Sequence, residues 1–162
     1  MAILKHRGGS TIVVSIIIAI ILTIIPLPET ISYARPEWLF MVFVYWCLAL
    51  PQRIGVGTGW FLGLILDVVL GTLLGQHALA FAIIGYITLK VHQRVRVFPL
   101  HQQALTVFML VTTQIILINW IRGITGEETN LWLMLLPALS TAALWPWVFL
   151  LLRFVRRKNR VA

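Results

Sequence analysis

A single carboxylate interrupts a stretch of glycine and aliphatic residues, GVGTGWFLGLILDVVLGTLLG, which runs from Gly55 to Gly75. A carboxylate in such surroundings can pair with a basic group of a partner, carry a proton, or accept hydrogen bonds inside the fold. Glycine or this aspartate recurs at every fourth position. The candidate partner-binding or helix-packing residues are therefore Gly55, Gly59, Gly63, Asp67, Gly71 and Gly75.

Small residues four positions apart allow two helix backbones to approach closely within a membrane. Because a repeat of four advances about 40° beyond a full turn at each step, three consecutive members share a helix face and all six cannot. Packing within the chain is favoured over a partner surface for the glycines. A third interpretation places Gly71 and Gly75 in a turn, where they contact no other helix.

The aspartate is expected at or slightly beyond the midplane of the membrane, facing the interior of a bundle. A charged side chain at that depth must find hydrogen-bond donors or stay protonated. The polar side chains expected nearby are Gln114, Thr113, Ser140 and Thr141. Two interpretations of Asp67 remain equally open, a structural hydrogen-bonded carboxyl and a carboxyl that binds a partner or ligand.

Other chemistry finds little support in the sequence. No two histidines have metal-ligand spacing on one helix, and the motifs of serine hydrolases, zinc proteases and phosphate-binding loops do not occur. We therefore expect no catalytic residue, no metal site, no cofactor and no enzymatic activity.

The elements that carry these residues must be membrane-spanning helices. The chain of 162 residues is 60% hydrophobic and 11% charged, whereas soluble domains carry about 25% charged residues. Backbone in lipid must satisfy its own hydrogen bonds, which favours helices. The sequence predicts a single polytopic membrane domain, residues 1–162, folded as a compact all-α bundle of six transmembrane helices. The spans are approximately 11–27, 37–51, 54–74, 77–92, 103–121 and 131–152.

The distribution of basic residues predicts the orientation of the bundle. With the N-terminus inside, eleven of the 13 Lys and Arg residues face the cytoplasm, and only Arg35 and Arg122 face outward. Both termini are therefore expected in the cytoplasm. The basic residues follow the ends of apolar runs, which is typical of a topology signal and argues against nucleic-acid binding.

Several of these segments together suggest a family. The run RPEW…YWCLALPQRIGVGTGWFLGLILDVVLGTLLGQHAL and the late LWPWVFLLLR resemble the MreD family of rod shape-determining proteins of Gram-negative bacteria, over nearly the whole chain. The resemblance implies a multi-pass protein of the inner membrane without catalytic activity. It also implies a fold similar to the S-components of energy-coupling factor transporters.

The same resemblance implies partners in the machinery of cell-wall elongation. These are the bitopic membrane protein MreC, the actin-like MreB, and RodA with its transpeptidase partner. Two functions remain open at this stage. One is a scaffold whose glycine-lined face holds the transmembrane helix of MreC, and the other is a small-molecule-binding or transport subunit of the S-component type.

Overall fold

The computed structural model describes residues 8–128 and 130–161, and every regular element in those ranges is a helix. The all-helical class is therefore confirmed. The elements are α1 (Gly9–Ile24), α2 (Glu29–Ser32), α3 (Trp38–Ala49), α4 (Val56–Leu70), α5 (Gln76–Val95), α6 (Leu100–Ile124) and α7 (Leu131–Lys158).

Each of the six predicted spans overlaps one helix of at least 12 residues. The remaining helix, α2, lies outside these spans and is a single turn in the proline-rich connection after the first span. Among the described helices, α6 and α7 are both long and apolar enough to cross a membrane, whereas α1, α3 and α4 are shorter apolar helices. The number of helices that cross the membrane stays a prediction.

Helix α3 forms the centre of the bundle. Ten consecutive residues, from Leu39 to Leu48, are buried, and a helix that is apolar on every side is typical of such a position. Its 12 residues rise only about 18 Å, less than the ~30 Å of a hydrocarbon core. Neighbouring helices compensate, because α1, α5 and α7 all pack against α3.

Helices α4 and α5 form a tightly packed antiparallel pair. Helix α4 ends at Leu70, because Gly71 adopts a left-handed conformation with φ 66°. Helix α4 thus ends four residues before the end of the predicted third span, 54–74. Asp67 lies in the last turn of α4, whereas the sequence predicts it at or slightly beyond the midplane of the membrane.

The two ends of the molecule differ in charge. At one end, which we call the basic end, α1 begins and α7 finishes, and a Cβ built on Gly8 would lie 2.5 Å from Cγ2 of Val161. The α5–α6 turn with Arg94 and Arg96 lies at that end as well. The other end, the acidic end, contains the starts of α3 and α5, and both ion pairs of the described residues lie there, His77–Asp67 and Arg122–Glu127.

Candidate functional site

The carboxylate of Asp67 is fully buried and accepts hydrogen bonds at both oxygens. Oδ1 accepts from the Thr72 hydroxyl at 2.9 Å and the His77 amide at 3.0 Å, and it lies 2.7 Å from Nδ1 of the His77 ring. Oδ2 accepts from the amides of Gly75 at 2.9 Å and Ala78 at 3.4 Å, and shares the His77 amide at 3.2 Å. All of these partners lie within eleven residues of Asp67 in the sequence.

The turn between α4 and α5 brings these donors to the aspartate. Gly71 ends α4 with a left-handed residue, and the amide of Thr72 then donates to the carbonyl oxygen of Asp67 at 3.0 Å. This pattern is the Schellman arrangement, which glycine permits because it has no Cβ. Gly75, with φ 100°, reverses the chain again and starts α5. The first turn of α5 is thereby placed directly over the Asp67 side chain.

Asp67 therefore caps α5 from a different helix. No side chain at the N-cap position of α5 does so, and the first amides of a helix have no partner within that helix. The amides of Gly75, His77 and Ala78 find their acceptor in Asp67 instead. Because backbone amides only donate, both side-chain oxygens of Asp67 act as acceptors.

The predicted polar neighbours of Asp67 do not provide its recorded hydrogen bonds. Thr113, Ser140 and Thr141 donate to carbonyl oxygens of their own helices, at Met109, Leu136 and Pro137. Thr141 also accepts from the amide of Glu37 at 3.0 Å. Gln114 is buried, and neither of its amide atoms has a hydrogen-bond partner among the described residues. The prediction failed because it placed Asp67 in mid-span, opposite α6 and α7.

Three of the predicted glycines face a neighbouring helix of the same chain. A Cβ on Gly59 would lie 2.6 Å from Cζ of Phe43 and 2.8 Å from the carbonyl oxygen of Phe81. A Cβ on Gly63 would overlap the backbone of Ala78, and one on Gly55 would lie 3.2 Å from Leu89.

These neighbours belong to α5, apart from Phe43 of α3. At the closely packed positions the glycine face of α4 is therefore occupied by α5, which fits packing within the chain, the interpretation that the sequence favours. Gly71 and Gly75 have nothing within 4 Å of a built Cβ. They serve the turn, as the third interpretation proposed.

Sequence reasoning missed Thr72 and His77 as partners of the aspartate. Both lie in the segment LGTLLGQHAL, which was assigned to a turn without a connection back to Asp67. The signal was the spacing of the two glycines. A left-handed C-cap followed by a second glycine four residues later returns the chain onto the last turn of the helix it has just left.

A small polar pocket adjoins this network at the acidic end. It measures about 220 Å³, and Arg35, Glu37 and His77 contribute to its lining. The Arg35 guanidinium donates to the carbonyl oxygens of Thr23 and Ile25, which caps the C-terminal end of α1. Pockets that bind small organic ligands usually measure about 300–1,000 Å³, so this pocket does not favour the small-molecule transport alternative.

A larger apolar groove runs between α1 and α7 over a floor formed by Trp38 and Val42 of α3. Its volume is about 370 Å³. Helix α1 lines it with Thr11, Val14, Ser15, Ile18, Ala19 and Leu22, and the other wall consists of Val148, Leu151, Leu152 and Val155 of α7 and the following Asn159. The α1 residues form two rows with a spacing of four, one of small and one of aliphatic side chains.

Comparison with known proteins gives a consistent result. A family model described as rod shape-determining protein MreD matches residues 7–155. A protein of Haemophilus influenzae named rod shape-determining protein MreD is 36% identical over 151 residues, which is 93% of each chain. No solved structure matches the chain.

Proposed function

Since the chain belongs to the MreD family of rod shape-determining proteins, we propose that it acts as a non-catalytic scaffold for cell-wall elongation. It is a membrane protein with a role in rod-shape determination. In our proposal α1 and α3 to α7 cross the inner membrane, both termini are cytoplasmic, and the bundle holds the single transmembrane helix of MreC. MreC then links it to MreB and to RodA with its transpeptidase.

The α1–α7 groove is the surface that we assign to the MreC helix. The glycine face of α4 is covered by α5, so a partner helix must bind elsewhere. In the groove, the exposed wall of α1 is the aliphatic row Val14, Ile18 and Leu22. The small residues beside it face the chain's own core, since Ala19 is buried and Ser15 accepts from the indole of Trp46 on α3. The aliphatic row offers van der Waals packing to a second helix, which drives helix association in a membrane.

The opposite wall of the groove fits the same occupant. The α7 residues Val148, Leu152 and Val155 are apolar, and together with Asn159, which directly follows the helix, they have the spacing of one helix face. A helix that lies in an apolar groove is recognised through residues with this periodicity on both sides. The groove is the single observation that carries the scaffold proposal.

Site-specific photo-crosslinking tests this assignment. A photoreactive amino acid replaces Ile18 or Leu151 in the groove, which are 52% and 62% exposed. The matched controls are Val68 on α4 and Met109 on α6, which are 70% and 61% exposed and lie outside the groove. We expect the groove positions to crosslink to tagged MreC. The control positions should give adducts with lipid and none with MreC.

A functional variant completes the experiment. Leu151→Trp places a large side chain in the groove, whereas Met109→Trp places the same side chain on an exposed face of α6. At equal membrane abundance, we expect Leu151→Trp to weaken co-purification of MreC and to give rounded cells, while Met109→Trp remains rod-shaped. Equal MreC crosslinking from groove and control positions, or adducts with lipid alone in the groove, would refute the assignment.

A further inference from the structure

Three arginines surround a second pocket at the basic end of the molecule. Arg96 follows α5, and Arg153 and Arg156 lie one turn apart on α7. Together with Tyr45, Gln103 and Phe149 they line a cavity of about 210 Å³. We refer to this cavity as the arginine pocket. It lies apart from both the α1–α7 groove and the Asp67 network.

A buried glutamine fixes the geometry of the arginine pocket. Gln103 of α6 donates from Nε2 to the carbonyl oxygens of Val95 and Phe98, at 3.1 and 3.2 Å. Its Oε1 accepts from the indole of Trp145 at 3.3 Å. These bonds tie the α5–α6 turn, which carries Arg96, to α7. The fold thus brings together guanidinium groups from two elements, the α5–α6 turn and α7.

Within residues 8–128 and 130–161, no acidic side chain pairs with the three arginines. The five acidic residues of the chain are Glu29, Glu37, Asp67, Glu127 and Glu128. None of them lines the arginine pocket, and the ion pairs recorded for residues 8–128 and 130–161 involve other side chains. Three like charges around one cavity repel each other, and a bound anion removes that repulsion.

Phosphate is the anion that best matches these groups. A guanidinium presents paired N–H donors in a plane, which suits two oxygens of a phosphate, and it stays charged at any physiological pH. The pocket volume is several times the ~30 Å³ that one water occupies in the liquid. A phosphate group with some of its hydration waters therefore fits into the cavity.

We propose that the arginine pocket binds the phosphate of an anionic phospholipid headgroup. Two features favour a lipid over a soluble phosphate. Phe149 gives the pocket an apolar wall, and next to it on α7 the side chains of Leu150 and Phe154 are exposed along the path that acyl chains would follow. Basic pockets between membrane helices are known to hold anionic headgroups in this way.

The experiment compares two double variants of the full-length protein. Arg153→Gln with Arg156→Gln removes two charges from the pocket. The control, Arg157→Gln with Lys158→Gln, removes two charges from the same helix end outside the pocket. The measurement is phosphatidylglycerol retained after purification in a neutral detergent, detected by native mass spectrometry. We expect the pocket variant to retain about tenfold less lipid and the control to match the wild type.

A second comparison covers the case in which the pocket variant does not accumulate. Arg96→Gln lies on a different element, and Arg94→Gln is its neighbour outside the pocket. Again we expect lipid loss only for the pocket residue. Equal retention in the pocket and control variants of both pairs would overturn the proposal, since the basic residues would then act only as diffuse charge.

The source of the phosphate is tested separately. Short-chain phosphatidylglycerol, short-chain phosphatidylcholine, and inorganic phosphate at matched ionic strength are each added to the purified wild type. We expect only phosphatidylglycerol to raise the melting temperature, and Arg96→Gln to abolish the shift. A shift of equal size with inorganic phosphate alone would assign the pocket to a soluble anion and overturn the lipid assignment.

Discussion

Asp67 lies where two helix dipoles meet. It belongs to the last turn of α4, where the partial negative charge of the helix disfavours a carboxylate. The N-terminus of α5 offsets this, because its positive end and the amides of Gly75, His77 and Ala78 point at the carboxylate oxygens. The side chain therefore stabilises the α4–α5 turn while α5 remains docked on it.

Replacement of Asp67 by Asn should therefore be costly. Asn keeps one acceptor oxygen, but its NH₂ group would face the backbone amides with donor against donor. A buried donor without a partner costs about 1–3 kcal/mol, so we expect Asp67→Asn to lower the free energy of unfolding by about that amount. Asp67→Ala should lower it at least as much. The measurement is unfolding of purified protein in detergent, together with membrane abundance and cell shape.

Two further variants make the result specific. His77→Ala keeps the backbone amide that donates to Asp67, so its effect should be smaller than that of either Asp67 variant. Glu127→Gln removes an exposed carboxylate that lies 3.7 Å from Arg122. Because exposed ion pairs contribute at most about 1 kcal/mol, this variant should change the free energy of unfolding by no more than that. An Asp67→Asn protein as stable as the wild type would contradict the capping role. Round cells with His77→Ala at normal abundance would instead indicate that the Asp67–His77 pair acts in function.

At the scale of the helices, the glycine row determines how α4 and α5 pack. Gly55, Gly59 and Gly63 leave room for the α5 residues from Ala78 to Leu89. Gly85 of α5 lies at the same crossing, since a Cβ there would lie 3.0 Å from Cζ of Phe43 on α3 and 3.5 Å from the carbonyl oxygen of Gly55. The two backbones can approach this closely only while these positions carry no side chain.

The sequence predicted the features of this packing that depend on residues within one helix, and it did not predict which helices contact each other. The close approach at Gly59 and Gly63 follows from spacing, and the burial of α3 follows from its uniformly apolar residues. The partner helix of the glycine row could not be predicted, because a row of small residues fits a helix of the same chain as well as one from another protein. The polar contacts of Asp67 were missed because a shift of one helix end by four residues changes which elements surround it.

The packing predicts opposite outcomes for two glycines of α4. Gly63→Ala should be destabilising by about 1–3 kcal/mol, since its Cβ overlaps the backbone of Ala78, which cannot move away like a flexible side chain. Gly57→Ala meets nothing within 4 Å and should be neutral or slightly stabilising, because alanine is the better helix former. Membrane abundance and melting temperature of both variants provide the test. A stable Gly63→Ala protein that has lost MreC would return the glycine row to the role of a partner surface.

At the scale of the whole molecule, the two outward-facing basic residues of the predicted topology both have local partners. Arg35 donates to carbonyl oxygens at the end of α1, and Arg122 lies near Glu127. At the basic end, Arg96, Arg153 and Arg156 have no acidic partner among the described residues. The excess of Lys and Arg at one end is the feature that predicts the orientation in the membrane.

The adjacency of the chain ends supports the same topology. Gly8 and Val161 are close neighbours, which requires that the chain traverse the bundle an even number of times between them.

Paired reporters should therefore give a cytoplasmic signal after residue 162 and within the α5–α6 turn near Val97, which is 80% exposed. A reporter inserted at Gly126, in the turn after α6, should be active only in the periplasm. A periplasmic signal from residue 162 or from Val97 would contradict both the orientation and the six-span arrangement. A cytoplasmic signal from Gly126 alone would mean that α6 and α7 enter the membrane without crossing it, and would leave the other four helices to be tested one by one.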